Sequence, residues 1–175
     1  MLETWILAMM LVLEPNAPWK GTYEASAHTI AEVSERESLF AGKDGPRKTA
    51  SLFVSLGWFE ARFKPDAEGD HAKLAGGQKG EPASFCMMQI GRSNLRWLGT
   101  TPEAIQKDFG VCVRTARKML STSMHLCSTR PLEERLAWYA AGGDGCPSTA
   151  GVRESGHRIR KAQWIFAKGA NAGAW

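Results

Sequence analysis

Residues 50–63 are apolar on almost every side when they are placed on a helical wheel of about 100° per residue. One face is formed by Ala50, Phe53, Val54, Gly57, Trp58 and Ala61. The opposite arc is mostly Leu52, Leu56, Phe59 and Phe63, and the remaining polar strip is only Ser51, Ser55 and Arg62. A helix that is apolar nearly all round is buried in its protein. The sequence therefore predicts a fold packed around one central helix over about 48–63, which Pro65 terminates.

The rest of the chain predicts a single, mostly helical domain. Its 175 residues can bury one hydrophobic core, and 43% apolar with 23% charged residues is the balance of a globular protein. A stretch with two prolines and a glycine, residues 15–21, separates a first apolar helix from a second one. The later helices are predicted at about 23–39, 101–110 (Thr101 as N-cap, Gly110 as the end), 111–121, 131–141 and 149–168. Residues 66–84 are rich in glycine and polar residues, which predicts loops with a small β region.

The apolar stretch Trp5–Leu13 predicts a buried helix of this fold. It is too short to span a bilayer, so we expect no membrane span. Glu3 stands where a secretory signal carries basic residues, and no small-residue cleavage site follows cleanly. No signal peptide is therefore recognisable.

The charge pattern gives no indication of a nucleic-acid partner. The net charge is only +4. The basic run near the C-terminus consists of Arg153, Arg158, Arg160, Lys161 and Lys168. Because no nucleic-acid motif accompanies it, we interpret this run as one solvated helix face.

Four cysteines, Cys86, Cys112, Cys127 and Cys146, allow two disulfides in three pairings. Pairing is expected if the protein works outside the cytoplasm. The spacing of His125 and Cys127 does not match a zinc site. We expect no metal site and no cofactor.

Glu60 does not lie on the polar strip of the central helix. It projects between Phe53 and Leu56, one turn from the C-terminal end. Burying a charged and unpaired carboxylate there is very costly. Either Glu60 pairs with a cation from elsewhere in the fold, or it lines a cleft as a proton donor. The wheel alone leaves both interpretations open.

Three segments resemble motifs of the soluble lytic transglycosylases and goose-type lysozymes, in the same order and at plausible spacing. FEARFKPDA, residues 59–67, resembles E-S-x-F-x-P-x-A, with Glu60 at the glutamate. CMMQI, residues 86–90, resembles G-L-M-Q-I, and LAWYAAGGDG, residues 136–145, is similar to A-x-Y-N-A-G-x-G. With their connecting stretches they cover about half of the chain. The departures from the motifs are Ala61, Cys86 and Ala140.

The resemblance implies a mainly α, lysozyme-like α+β fold with a small irregular or β region between the central and C-terminal helices. We expect one domain over residues 1–175, with 1–45 as an N-terminal helical extension packed on it, 46–146 as the catalytic core and 147–175 as a C-terminal helix; the resemblance does not cover residues 1–45. The implied activity is cleavage of the peptidoglycan strand between N-acetylmuramic acid and N-acetylglucosamine, with Glu60 protonating the glycosidic oxygen. The implied location is the cell envelope, periplasmic or extracellular, and the protein is expected to be a monomer.

The resemblance also assigns substrate-binding residues. Met88, Gln89 and Ile90 are expected to line the floor of the cleft, and Tyr139 to orient the carboxylate or the sugar. Ser84 is a candidate for contact with the N-acetyl group. Cys86 stands at a tight glycine position of the motif and is therefore the cysteine least expected to be bridged.

The number of carboxylates decides the product. A lytic transglycosylase needs one and forms a 1,6-anhydromuramic end, whereas ordinary glycoside hydrolysis uses two. Asp66 and Asp70 are candidates for the second, although both lie in the polar segment, which is interpreted as a solvated loop. We expect the anhydro product. A hydrolytic muramidase remains an alternative, as does a non-catalytic glycan-binding module of a phage particle or secretion apparatus.

Overall fold

A computed structural model describes residues 1–69, 71, 80–143, 145–147, 149 and 151–169. This part of the chain is mainly helical with one small antiparallel sheet, as the sequence predicts. The helices are α1 (Leu2–Leu13), α2 (Tyr23–Arg36), α3 (Gly45–Ala61), α4 (Arg92–Leu98), α5 (Pro102–Lys107), α6 (Phe109–Leu126), α7 (Ala137–Ala141) and α8 (Val152–Ala167). The strands are β1 (Glu68–Gly69), β2 (Ser84–Phe85) and β3 (Ile90–Gly91), and short 3-10 turns cover Lys20–Thr22 and Leu132–Glu134.

Helix α3 is the predicted central helix, and it packs against α1, α2 and α8. Residues 49–57 are all buried. The helix begins earlier than predicted because Pro46 lies in its first turn, where the N–H that proline lacks has no helical partner anyway. It ends because Arg62 and Phe63 turn to positive φ, 48° and 64°, and their N–H groups bond back to carbonyls of the last turn.

Helix α1 forms as predicted, but the expectation that it is buried is wrong for most of its surface. Ile6 and Met10 are its only buried residues. Leu11 and Val12 are 41% and 61% exposed. The helix therefore lies on the surface and buries a single stripe against α2 and α3. Across the described residues, no helix combines the length and the apolar character that a bilayer crossing needs.

The boundary between α5 and α6 differs from the prediction. Gly110 does not end α5 but lies in the first turn of α6. The reason is Asp108, whose carboxylate accepts the N–H of Gly110 at 2.7 Å and of Val111 at 3.3 Å and so caps α6. Helix α6 is correspondingly longer than the predicted 111–121.

The predicted helix 131–141 is split in two by buried serines of its neighbours. The hydroxyl of Ser155, on α8, accepts the N–H of Leu136 at 2.9 Å and donates to the carbonyl of Glu133 at 2.6 Å. The hydroxyl of Ser123, on α6, donates to the carbonyl of Arg135 and accepts the N–H of Tyr139. These contacts replace helical hydrogen bonds, so only a 3-10 turn and the short α7 remain.

The sheet has the order β1-β2-β3, with Glu68 opposite Phe85 and Ser84 opposite Gly91. It therefore reaches beyond the predicted limit of residue 84. Helix α4 follows it directly and was not predicted, since its seven residues include only two buried ones, Leu95 and Leu98.

Both disulfides form, and each is anchored on α6. Cys112, in its first turn, bonds to Cys86, and Cys127, at its C-terminal end, bonds to Cys146. The expectation that Cys86 is the least bridged cysteine is wrong, because the buried Cys86 faces α6 directly.

A candidate active-site cleft around Glu60

A cleft of about 380 Å³ opens between the C-terminal end of α3, the sheet, α7 and α8. Its lining is mostly small and polar: Glu60, Ala83, Ser84, Gln89, Gly91, Ser93, Asn94, Met119, Tyr139, Ala140, Ala141, Gly142 and Arg158. Glu60 is the only carboxylate among these lining residues of the described part. All three segments that carry the family resemblance contribute to the cleft.

Glu60 makes an ion pair with Arg158 of α8. The Nε atom of Arg158 donates to the carboxylate oxygen Oε1 at 2.8 Å, and Nη2 lies 2.7 Å from the same oxygen. Only 17% of the Glu60 side chain and 13% of the Arg158 side chain are exposed. Glu60 therefore pairs with a cation, as the first interpretation expected, and it also lines a cleft, where its role as a proton donor stays a prediction.

Arg158 is held in place by the contact between α3 and α8. The hydroxyl of Ser55 donates to the backbone carbonyl of Arg158 at 2.7 Å, which fixes the position of α8 against the centre of α3. The guanidinium also lies over the ring of Phe59, 5.9 Å from its centroid. Arg158 is thus held by contacts to Ser55 and Phe59 in addition to its ion pair with Glu60.

Tyr139 lies in the cleft beside the ion pair. Its hydroxyl donates to the backbone carbonyl of Met88 at 2.5 Å, which joins α7 to the 86–90 segment. Burial raises the pKa of the Tyr139 phenol above its usual value, and the negative charge of Glu60 raises it further, while Arg158 opposes the shift. Tyr139 therefore remains a neutral hydrogen-bond donor at physiological pH.

The side chain of Gln89 ties the strands of the small sheet together. Its Oε1 accepts the hydroxyl of Ser84 at 2.6 Å, and its Nε2 donates to the carbonyls of Ala67 and Cys86. Gly69 leaves room for this network, since a Cβ at that position would lie 2.0 Å from Gln89 Oε1. Ser84 and Gln89 thus line the cleft through polar groups that are already ordered.

The 86–90 segment is a strained turn. Cys86 and Gln89 have positive φ values of 60° and 48°, in the left-handed region that favours glycine. The motif that residues 86–90 resemble has glycine at the position of Cys86, and a glycine adopts a φ of 60° without strain.

The expectation that Met88 and Ile90 line the cleft is wrong, because both are completely buried and neither is among its lining residues. Gln89, whose side chain points the other way, is the one residue of the three that reaches the cleft.

Asp66, the candidate for a second carboxylate that the structure describes, does not join Glu60. Asp66 is exposed and its carboxylate lies 3.9 Å from the ammonium of Lys64, outside the cleft. Asp70 lies outside the described residues. Glu68 accepts from Gln106 at 2.7 Å, at the surface.

The sequence interpretation missed Arg158, which it assigned to a solvated face. A signal was present, because Arg158 follows Ser155 by three residues and precedes Ala162 and Ile165 by four and seven. All three of those residues are buried, so Arg158 shares the inward face of α8. Ser93 and Asn94, at the start of the unpredicted α4, were missed as well.

A second hollow, of about 390 Å³, lies between α1 and α2. Four of its charged side chains contact one another in pairs: His28 contacts Glu3 at 2.9 Å and Arg36 contacts Glu32 at 2.7 Å. Glu3 raises the pKa of His28 through this hydrogen bond and its charge. This exposed surface lacks the buried acid that distinguishes the Glu60 cleft.

Within the described ranges, no cluster of three histidine, cysteine, aspartate or glutamate side chains is arranged to hold a metal ion. No protein-family model, curated protein or solved structure matches the chain.

Proposed function

We propose that this protein is a lytic transglycosylase of lysozyme-like fold that cleaves the β-1,4 bond between N-acetylmuramic acid and N-acetylglucosamine in peptidoglycan. The observation that carries the proposal is Glu60, a single carboxylate at a polar cleft, at the position of the glutamate in the related motif. Chemistry with one carboxylate matches a cleft whose described lining contains one.

In the proposed reaction, Glu60 in its acid form donates a proton to the glycosidic oxygen, and the C1–O bond breaks with its electron pair going to that oxygen. The acetamido oxygen of the muramic acid residue stabilises the positive charge that develops at C1. The Glu60 carboxylate then takes the proton of the C6 hydroxyl, whose oxygen bonds to C1. The product is a 1,6-anhydromuramic end, and no water is consumed.

Arg158 has two opposing effects in this scheme. A guanidinium is permanently charged, so it stabilises the carboxylate that proton donation leaves behind. It also disfavours the acid form that must exist before the reaction starts. The contacts of 2.8 and 2.7 Å therefore have to loosen when Glu60 is protonated. In this proposal, polar groups of the bound sugar take over the donors of Arg158 at that point.

The remaining cleft residues bind and position the sugar in this proposal. Tyr139 stays protonated beside Glu60 and fixes the 86–90 segment through the carbonyl of Met88. Ser84 and Gln89 present ordered polar groups to the N-acetyl substituent. Action on peptidoglycan places the protein in the cell envelope, and the two disulfides fit an oxidising compartment.

The ion pair specifically favours a second candidate, a non-catalytic glycan-binding module such as a component of a phage particle or secretion apparatus. A carboxylate bonded to arginine can serve the fold without any chemistry. The two candidates differ in one measurable respect, because only the enzyme releases soluble fragments from the cell wall.

The decisive experiment is digestion of purified peptidoglycan sacculi, with released sugars identified by mass spectrometry. We expect wild-type protein to release fragments and Glu60→Gln to be slower by about 10²–10⁴-fold while still binding sacculi. Glu35→Gln, an equal change at an exposed position on α2, is the matched control and should keep the wild-type rate. Wild-type protein that binds sacculi and releases nothing is the non-catalytic module instead.

Digestion in heavy-oxygen water separates the two enzymatic products. The anhydro product carries no label at the new muramic acid terminus, because its ring closes with the sugar's own hydroxyl. Label at that terminus means hydrolysis by a muramidase, and it overturns the transglycosylase assignment while keeping Glu60 as the acid.

A further inference from the structure

Five side chains of α3 and α8 form an alternating series of cations and indoles, here called the cation–π ladder. The guanidinium of Arg62 lies 4.0 Å from the centroid of Trp58, and the ammonium of Lys161 lies 4.8 Å from the same ring. Lys161 is also 4.8 Å from the centroid of Trp164, which has Lys168 at 5.2 Å. The ladder is thus Arg62, Trp58, Lys161, Trp164 and Lys168.

The three cations of the ladder lack acidic partners within the described part of the chain. No carboxylate there lies within ion-pair distance of Arg62, Lys161 or Lys168. Two other arginines of α8 differ, since Arg153 pairs with Glu154 at 2.9 Å and Arg158 pairs with Glu60 at 2.7 Å. The ladder therefore carries three positive charges in a fixed row with their hydrogen-bonding capacity directed at solvent.

The cation–π ladder continues into the cleft. Trp58 meets the ring of Phe59 edge to face at 4.9 Å, and Phe59 lies under the guanidinium of Arg158. Arg158 lines the cleft and holds Glu60. A ligand that follows the ladder therefore arrives at the edge of the cleft.

The indoles of the ladder have their rings engaged already. Each of Trp58 and Trp164 carries two cations over its ring, which leaves little of the face for stacking on a base or a sugar. What the ladder offers is positive charge on side chains that the rings already hold, so binding a ligand costs less side-chain entropy than it would with free lysines. A flat membrane surface is matched by a broad basic patch, whereas a single row matches a chain.

We propose that the cation–π ladder is a binding site for a linear polyanion, whose repeating charges are phosphates or carboxylates and which carries no stacking groups. Lysine and arginine bind both kinds of anion, arginine by its fork of N–H donors and lysine as a point charge. The polymer lies along the exposed junction of α3 and α8 and leads to the Glu60 cleft. The inference does not depend on the chemistry proposed for Glu60.

The test is calorimetric titration of the full chain with medium-chain polyphosphate and, in parallel, with poly-glutamate, each at several salt concentrations. The ladder variant combines Arg62→Gln, Lys161→Gln and Lys168→Gln. We expect it to bind whichever polymer the wild type prefers at least about tenfold more weakly, with the salt dependence reduced by about one charge for each residue replaced. Binding of the wild type to neither polymer overturns the proposal.

A matched control separates the row from net charge. Lys107→Gln, Arg114→Gln and Lys118→Gln remove the same number of charges at exposed positions on α5 and α6. This control variant should keep the wild-type affinity within about threefold, and an equal loss in both variants shows a general charge effect and refutes a site. Far-UV circular dichroism checks that both variants fold, and single Lys168→Gln, at the exposed end of α8, gives a milder change that serves if the triple variant does not.

Two further titrations test the class of ligand. Tighter binding per charge to single-stranded DNA of mixed sequence makes the surface a nucleic-acid site, and tighter binding to vesicles of phosphatidylglycerol and phosphatidylcholine makes it a membrane site. Either result overturns the proposal. Glu60→Gln should bind the polyanion like the wild type, so failure of the proposed glycan cleavage and failure of this inference are distinguishable.

Discussion

The ion pair between Glu60 and Arg158 predicts a large and coupled contribution to stability. Both side chains are less than a fifth exposed, at 17% and 13%, so a charge left behind when its partner is removed is poorly solvated. Removing one partner of a fully buried pair costs about 3–5 kcal/mol. Glutamine at position 60 keeps one acceptor for the guanidinium, so for Glu60→Gln we expect a smaller loss of about 1.5–3 kcal/mol in the free energy of unfolding.

Arg158→Gln removes the Nε donor, the Nη2 ion-pair contact and the contact with Phe59, and we expect it to lose about 3–4 kcal/mol. The double variant has no unpaired charge, so its loss should fall short of the sum of the single losses by about 1.5–3 kcal/mol. The assay is equilibrium urea unfolding, followed by both circular dichroism and tryptophan fluorescence, with the disulfides intact.

An exposed pair serves as the reference for this cycle. Glu32 and Arg36 of α2 lie 2.7 Å apart, with 38% and 75% of their side chains exposed. The same double-mutant cycle there should give a coupling of no more than about 0.5 kcal/mol. If the Glu60 and Arg158 losses add to within about 0.5 kcal/mol, the pair is not energetically coupled, and our account of how the carboxylate is held is incorrect.

Three more results are expected. Tyr139→Phe leaves the carbonyl of Met88 without its hydrogen-bond donor, so the free energy of unfolding in urea should fall by about 1–2 kcal/mol and the release of sugars from sacculi should slow. Full activity at every pH would mean that Tyr139 only packs. Gly69→Ala places a Cβ 2.0 Å from Gln89 Oε1, so it should break the Ser84 hydrogen bond and lower the unfolding midpoint, whereas unchanged stability would contradict the close packing of Gly69 against Gln89. The chain has two tyrosines: burial and then the charge of Glu14 raise the pKa of Tyr23 to about 12, and the pKa of Tyr139 is raised too. Because a raised pKa in the folded state means that folding favours the protonated phenol, the stability that the two tyrosines contribute is complete below the ordinary tyrosine pKa of 10.0. It is lost as the pH rises toward 12 and above. Tyrosinate absorbance that appears with a midpoint near 10 in folded protein would contradict the raised pKa values.

Local periodicity was sufficient to predict the central helix and the position of Glu60 on it. Apolar residues on nearly all sides require burial, and burial of an acid requires a partner or a cleft, whatever the rest of the fold does. The partner was harder to predict, since Arg158 lies 98 residues away in sequence. The spacing of Arg158 to Ser155 and Ala162 indicated an inward position on α8, but its place in a basic run led to the interpretation as a solvated residue.

Contacts between distant elements account for the helix that was predicted over 131–141 and is interrupted. The hydroxyls of Ser123 and Ser155 take over the backbone groups of this stretch. Both serines lie outside residues 131–141, so no local sequence pattern within that stretch predicts the break. The three neighbours Met88, Gln89 and Ile90 illustrate a different limit. A shared motif suggested a shared role, yet the chain turns sharply over residues 86–89, with Gln89 at a φ of 48°, and only Gln89 faces the cleft.

Helix α6 anchors both sides of the cleft through its two disulfides. Cys112 fixes the turn that begins at Cys86 and carries one rim, and Cys127 fixes Cys146, just beyond the other rim. The bridges span 26 and 19 residues, and each is expected to stabilise the fold by about 3 kcal/mol in the chain-entropy account. Protein prepared with reducing agent should keep the α3 and α8 pair while both rims lose their anchor. In a reducing compartment, where neither disulfide forms, the cleft around Glu60 would therefore have no fixed width. Oxidation of the four cysteines would then fix both rims around the acid.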